Sequence, residues 1–380
     1  MKTLRIENLG QIKEAEVTFG DFTVLVGPQA SGKSIFLQMM KLVIDCVDIK
    51  ETIKKFGFNW NNYKDFLNLY FGEGMEGIIK PDTNIQSDNT KYSIESLLRQ
   101  KKVSTEKIFL IPAQRVITMQ NGWPRNYLNF EMQDPYIVKH FSEDLRLHME
   151  SGIGSRNSGS IFPQEGRMKK SFRDKLNESI FFNAKVELDK SIKKRIMLNI
   201  EGYNLPYLVW SAGQREFMPL LLGLYSLMPS GRKTKEKDIE WVVIEEPEMG
   251  LHPLAIQSLL LTFLELITRK YKVIISTHSP VILELCWAIT NIQKNSRGSA
   301  DILFKLFDID KQPTIRKVFE DVLGKCKFKT FYFDRKDEGV IVKDISSLDP
   351  SHPDAAESEW GGLSSFSSRV SDIISKLYSE

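Results

Sequence analysis

The chain has 380 residues, 42% of them apolar and 27% charged, and a formal net charge of +3. That length builds one large domain or two medium ones around a real core, and a charge so close to balance gives no argument for nucleic acid by itself. Cys46, Cys286 and Cys326 match no metal or redox spacing, so free thiols in a reducing compartment are expected.

Two short strands open the chain, around 4–7 and 15–18, and a third, Phe22–Val26, runs into a glycine-bearing loop. The first strand follows Met1 directly, so no signal peptide is expected. Phe36, Leu37, Met40, Val43 and Ile44 then repeat with helical spacing. Residues 50–105 show no clear period, and 107–111 read as a buried strand stopped by Pro112. The stretch 120–190 is polar and helix-rich, with a loop at 151–160. Residues 196–200 and 207–210 read as a hairpin turned at Gly202, and 217–228 as a buried helix. That last run is the longest apolar one and falls short of the roughly 20 residues that span a bilayer, so the expected location is cytoplasmic with no membrane partner. Residues 241–244 and 273–276 are apolar strands, each followed by a helical pattern. Strands alternating with helices predict an α/β fold with a doubly wound, mostly parallel sheet. Toward the end, 331–333 and 340–342 read as a small hairpin, and 346–368 are rich in Ser, Pro and Gly.

Gly27-Pro28-Gln29-Ala30-Ser31-Gly32-Lys33-Ser34 matches the phosphate-loop pattern G-x-x-x-x-G-K-[ST], between a strand and a helix. Its backbone N–H groups can point at phosphate oxygens. Lys33 can reach the β and γ phosphates and Ser34 can ligate Mg²⁺. The strand at 241–244 ends in Glu245-Glu246-Pro247-Glu248. Acids have no structural use at the end of a buried strand, whereas the carboxyl edge of a parallel sheet faces the ligand crevice. Glu245 is therefore assigned to the Mg²⁺ site and Glu246 to the general base. Ser211-Ala212-Gly213 opens a helix about 30 residues earlier and reads either as an anion site or as a plain cap. His278 and Gln114 each follow an apolar strand and say little alone.

Together these pieces resemble the ABC ATPase superfamily, in its order of phosphate loop, Q-loop, signature, acidic strand and switch histidine, over roughly residues 1–290. Ile6-Glu7-Asn8-Leu9-Gly10, Glu245 through Pro253, and Ile275 through Pro280 look like the OLD and SMC/RecF-like branch. The resemblance implies an ATPase head with an antiparallel N-terminal portion of the sheet, an inserted helical lobe at about 116–195 and a C-terminal extension from about 300. It also implies ATP and Mg²⁺ as ligands, with Gln114 sensing Mg²⁺ or the water and His278 contacting the γ-phosphate. Ser211 and Gly213 would contact ATP on a second copy, so at least a dimer is expected. Ala212 departs from the usual second glycine of the signature, and Glu245 from the usual aspartate.

SMC-type coiled-coil arms are excluded, because only about 175 residues without sustained heptads separate the phosphate loop from the signature. Asp308 and Asp310 mimic a TOPRIM acidic pair but read as a surface turn. The resemblance best fits the ATPase subunit of a two-component anti-phage defence system, PARIS- or Septu-like, with a separate nuclease or toxin as effector. A RecF-like DNA-repair clamp, a transporter nucleotide-binding subunit and an ATP-binding scaffold are the alternatives. Basic runs at 167–175, 190–195 and 232–237 read as solvated faces or as a phosphate-tracking groove, which leaves DNA as a further partner.

Overall fold

The computed structural model describes residues 1–380 except 103, 153–158, 192, 231–234, 296–297 and 378–380, with the side chains of 372, 376 and 377 also outside the described set. The expected loop at 151–160 and the start of the basic run at 232–237 therefore lie largely outside the described residues.

The strands are β1 (Thr3–Leu9), β2 (Ile12–Thr18), β3 (Phe22–Val26), β4 (Ile79–Ser87), β5 (Thr90–Tyr92) and β6 (Ile108–Ile111), then β7 (Met119–Gln120), β8 (Trp123–Pro124), β9 (Ser160–Phe162), β10 (Lys185–Asp189), β11 (Arg195–Ile200) and β12 (Tyr203–Pro206), and finally β13 (Trp241–Glu245), β14 (Lys272–Thr277), β15 (Phe328–Lys336) and β16 (Gly339–Asp344). Ten of them form one sheet in the order β5-β4-β1-β2-β16-β15-β3-β14-β13-β6. From β15 through β3, β14 and β13 to β6 every neighbour is parallel. β5, β4, β1 and β2 pair antiparallel. The fold is the α/β head that the sequence predicts, with its antiparallel N-terminal portion.

Both faces of the sheet are covered, which is why its central strands are apolar throughout rather than alternating. Val242 and Ile244 of β13 enter one core, with helices Ala212–Leu227 and Pro253–Thr268, while Trp241 and Val243 enter the other, with helix Lys33–Lys55. Among the described residues no helix is long and apolar enough to cross a membrane.

Three expectations change. The hairpin at the end of the chain is neither small nor peripheral: β15 pairs with β3 and β16 with β2, so it joins the two halves of the sheet. The inserted lobe carries helix Tyr136–Glu150 but also a four-stranded antiparallel sheet, β12-β11-β10-β9, that continues beyond residue 195. Gly202 does turn a hairpin, yet its second strand is β12, and Tyr207–Val209 is a 3-10 turn. The Ser-, Pro- and Gly-rich stretch is also docked: Trp360 donates from Nε1 to the Leu348 carbonyl at 3.0 Å and packs near Trp287, with ring centroids 6.0 Å apart.

Candidate functional site

Parallel strands β3, β14, β13 and β6 all end at one edge of the sheet, and each delivers a sequence-predicted residue there. β3 leads into residues 27–34, β14 into His278, β13 into Glu245 and Glu246, and β6 into Gln114. Residues dispersed over 250 positions meet because the sheet is parallel and right-handed crossovers return each strand to the same edge.

The loop from Gly27 to Ser34 wraps the start of helix Lys33–Lys55. Gly27 has no room for a side chain, since a Cβ there would lie 2.8 Å from the carbonyl oxygen of Phe333 in β15. The C-terminal hairpin thus supports the loop directly. Lys33 turns back into the loop, donating to the carbonyls of Gly27 (2.8 Å) and Pro28 (2.9 Å). Burial pushes its ammonium down to about 8, against the pull of Glu246, Glu248 and Glu245.

Glu245 is buried and its carboxyl is pushed up by desolvation, opposed by the neighbouring Ser34 hydroxyl and by the Ala113 amide. Its Oε2 accepts from the Ala113 N–H at 3.2 Å, and its Oε1 has no hydrogen-bond partner among the described residues. A buried carboxylate oxygen left over beside a serine hydroxyl fits a hard divalent cation that keeps several waters. Glu246 is half-buried and held below the ordinary carboxylate range, chiefly by His278, whose Nε2 lies 3.6 Å from its Oε1. A carboxylate that stays ionised and open to water is what a general base needs. Gln114 is exposed, and its side chain makes no hydrogen bond among the described residues; its place beside the Ala113 amide brings it next to Glu245.

Ser211 caps helix Ala212–Leu227 in a capping box with Gln214, its hydroxyl accepting the Gln214 N–H at 3.3 Å. The cap reading is correct, and the cap is also exposed to solvent at the helix start. Gly213 is required by packing: a Cβ there would meet the Gly250 carbonyl at 2.5 Å, which ties the helix start to the turn after the acidic strand.

Two residues with no assigned role in the sequence prove central. Arg115 is fully buried and donates to the carbonyls of Glu216 (3.1 Å), Glu245 (2.9 Å) and Glu246 (3.0 Å), joining the signature helix to the acidic strand. Glu248 accepts from Thr277 Oγ1 (2.7 Å) and the His278 N–H (2.6 Å), fixing the loop that aims His278. Arg115 directly follows Gln114 and Glu248 lies within the acidic motif, so the available signal is adjacency to residues already singled out.

A family model described as "AAA domain, putative AbiEii toxin, Type IV TA system" matches residues 22–284. The chain belongs to this family. The matched span of the AAA domain runs from β3 into helix Pro280–Lys294 and so holds every residue placed above except the Phe333 support. No curated protein matches the sequence. Among solved structures, the AAA domain is similar to the SMC head domain from Thermotoga maritima (11% identity, TM-score 0.37, covering 90% of this chain and 98% of that one). It is also similar to an Smc head from Pyrococcus furiosus bound to the C-terminal domain of ScpA (9%, 0.41, 90% and 95%) and to a bacterial ABC transporter cassette solved as a dimer (14%, 0.31, 73% and 88%).

A second charged cluster lies further along the same helix. Asp48, Glu106 and His140 offer ligand atoms within 4.8 Å of one another. Lys41 brings a cation to the same cluster, its Nζ 2.6 Å from Glu106 and 3.1 Å from Asp45. Burial lowers the His140 pKa, but Asp144 and Glu106 outweigh it and raise the ring to about 9, so it stays a cation at neutral pH. The cluster is an ion-pair network.

In the basic run 167–175 the two arginines are structural. Arg167 is buried and donates to the Tyr225 carbonyl at 2.8 Å, Arg173 is buried, and Lys170 pairs with Asp174.

Proposed function

We propose that this AAA domain binds and hydrolyses ATP with Mg²⁺, that two copies close on the nucleotide, and that the cycle controls a separate toxin or nuclease in a defence system. The observation that carries the catalytic reading is the convergence of Lys33, Ser34, Glu245, Glu246 and His278 on one sheet edge. The loop amides and the Lys33 ammonium bind the β and γ phosphates. Ser34 and Glu245 would hold Mg²⁺, which would supply positive charge against those phosphates. The Glu246 carboxylate takes a proton from water as the water oxygen bonds to the γ-phosphorus and the bond to the β–γ bridging oxygen breaks, giving ADP and phosphate. His278 donates to a γ-phosphate oxygen, and the Ser211 hydroxyl and the helix start behind it meet the γ-phosphate held by the second copy.

The effector in trans is supported by the toxin system named in the family description and by the site of Asp308, whose side chain is fully exposed on a turn. Among the described residues the acids around that turn form no group of three with ligand atoms within 4.8 Å of one another, so the purified chain is expected to cut neither DNA nor RNA.

Glu246→Gln tests the assignment. It should keep nucleotide binding and lose turnover by roughly 10²–10⁴-fold, the range for a lost general base, and accumulate as an ATP-bound assembly in size-exclusion chromatography. Near-normal turnover removes Glu246 from the mechanism. Ser211→Arg should leave ATP binding by a single chain intact and block ATP-driven association, whereas loss of binding in the monomer would defeat the two-copy site.

A further inference from the structure

A cleft of about 850 Å³ lies on the inserted lobe away from the phosphate loop. Its wall is the β7–β8 hairpin, the end of helix Tyr136–Glu150, the start of β11 and the turn after β12. It presents five cations, Arg125, Arg146, Lys193, Lys194 and Arg195, against one carboxylate, Glu150.

The cations differ in availability. Arg146 is held by Glu143 (2.6 Å) and Glu150 (2.7 Å), and Arg195 by Asp189 (3.1 Å). The Arg125 guanidinium lies 3.9 Å from the centre of the Phe130 ring. Lys193 and Lys194 are exposed and form no ion pair among the described residues. Lys194 stands 6.0 Å from the Trp123 ring, which is half-buried against the core, and Tyr207 forms part of the floor. Two lysines without a carboxylate partner among the described residues, beside a half-buried indole, are a combination that binds a phosphate backbone and stacks a base in one place. An acidic peptide would satisfy the lysines and leave the aromatic floor unused, and a duplex hides its base faces.

We propose that this cleft binds single-stranded nucleic acid. The occupant would rest on the two segments that serve the nucleotide site. The 3-10 turn Arg115–Thr118 runs straight into β7, and Tyr207, whose hydroxyl donates to the Arg215 carbonyl at 2.8 Å, lies four residues before Ser211. A bound strand therefore acts on the Gln114 side and on the signature side of the ATPase at once. That coupling rests on the proposed ATPase activity, whereas the binding does not.

The experiment is fluorescence anisotropy on the full chain with labelled dT20, U20, a 20-base-pair duplex and poly-glutamate, at several salt concentrations. dT20 or U20 should bind more tightly than the duplex, and the preference between them tells DNA from RNA. Lys193→Glu/Lys194→Glu should weaken binding at least tenfold and lower the slope of log K against log salt by about 1.4, because each phosphate neutralised on a single strand adds about 0.7. Trp123→Ala should weaken it about 5- to 100-fold, the range for one stacked base, and Trp123→Phe should restore most of it. Thermal melts check that Trp123→Ala still folds; the lysine pair is exposed and keeps the test valid if it does not. Basal ATP turnover should be unchanged in the lysine double variant, with its stimulation by the strand lost. Glu246→Gln should still bind dT20, which separates failure of the ATPase reading from failure of this one. Equal binding of duplex and single strand, binding of poly-glutamate alone, or undiminished binding by the lysine double variant overturns the proposal.

Discussion

Helix Lys33–Lys55 carries two buried lysines two turns apart, and their surroundings are opposite. Lys41 has a partner for each of its donors, the carboxylates of Asp45 and Glu106 and the carbonyl of Ile108 at 2.6 Å. Burial alone would depress it, but the two carboxylates more than compensate and hold it above the ordinary lysine range. Lys33 has only carbonyls and a hydroxyl in reach, and its pKa falls. Nearby, Glu245 is buried with an oxygen to spare. A charge answered by fixed partners belongs to the architecture. One left short of partners waits for a ligand that brings the missing charge.

The sharpest way to break this comparison is to remove each lysine in turn. Lys41→Met leaves Asp45 and Glu106 facing each other without their cation, and should cost about 3–5 kcal/mol in urea unfolding, the range for breaking a buried pair from one side. Lys33→Met should abolish measurable nucleotide binding while changing stability by less than about 1 kcal/mol, as for a side chain on which the fold does not depend. If the two variants are equally destabilised, the contrast is wrong.

Acidity sharpens it further. ATP phosphates favour the charged form of Lys33, and the free site loses that charge near pH 8. Affinity should fall about tenfold between pH 7 and 9, with proton uptake on binding visible by calorimetry in two buffers, following the linkage of charge to binding. Affinity independent of pH over that window would place the Lys33 charge elsewhere.

The last test concerns His140. Its folded pKa of about 9 lies above its unfolded value, so its contribution is fully present below about pH 6.5 and is lost as the pH rises through 9. His140→Gln should flatten that decline, which is at most about 1.4 kcal/mol per pH unit for one proton.

The nucleotide edge is legible in the sequence because its parts are local: a loop of eight residues, a strand with acids at its tip, a histidine after another strand. Gln114 and Arg115 show the limit. Both stand at the same loop, but only burial reveals that the arginine binds three carbonyls. Within the lobe sheet β9 and β10 escape a reading by periodicity because they are short and lie within a polar stretch, whereas β11 is read at 196–200. Asn121-Gly122, at φ 51 and φ 79, is a hairpin-turn dipeptide and the one local signal for β7–β8. The place of β15 and β16 is not legible at all, since β15 pairs with a strand about 300 residues earlier and periodicity carries nothing about partners at that distance.

That last pairing matters while the protein is being made. β3, which carries the phosphate loop, has as neighbours only β14 and β15, which begin at residues 272 and 328. At roughly 5–20 residues per second, a ribosome needs about 15–60 s to pass from the end of β3 to the start of β15. β14 emerges late in that interval, and until β15 follows the loop hangs from a strand that lacks its partner on that side, with the backbone of Phe333 yet to arrive behind Gly27. A chain whose last hairpin has not been made lacks the backbone that stands behind Gly27 in the finished fold.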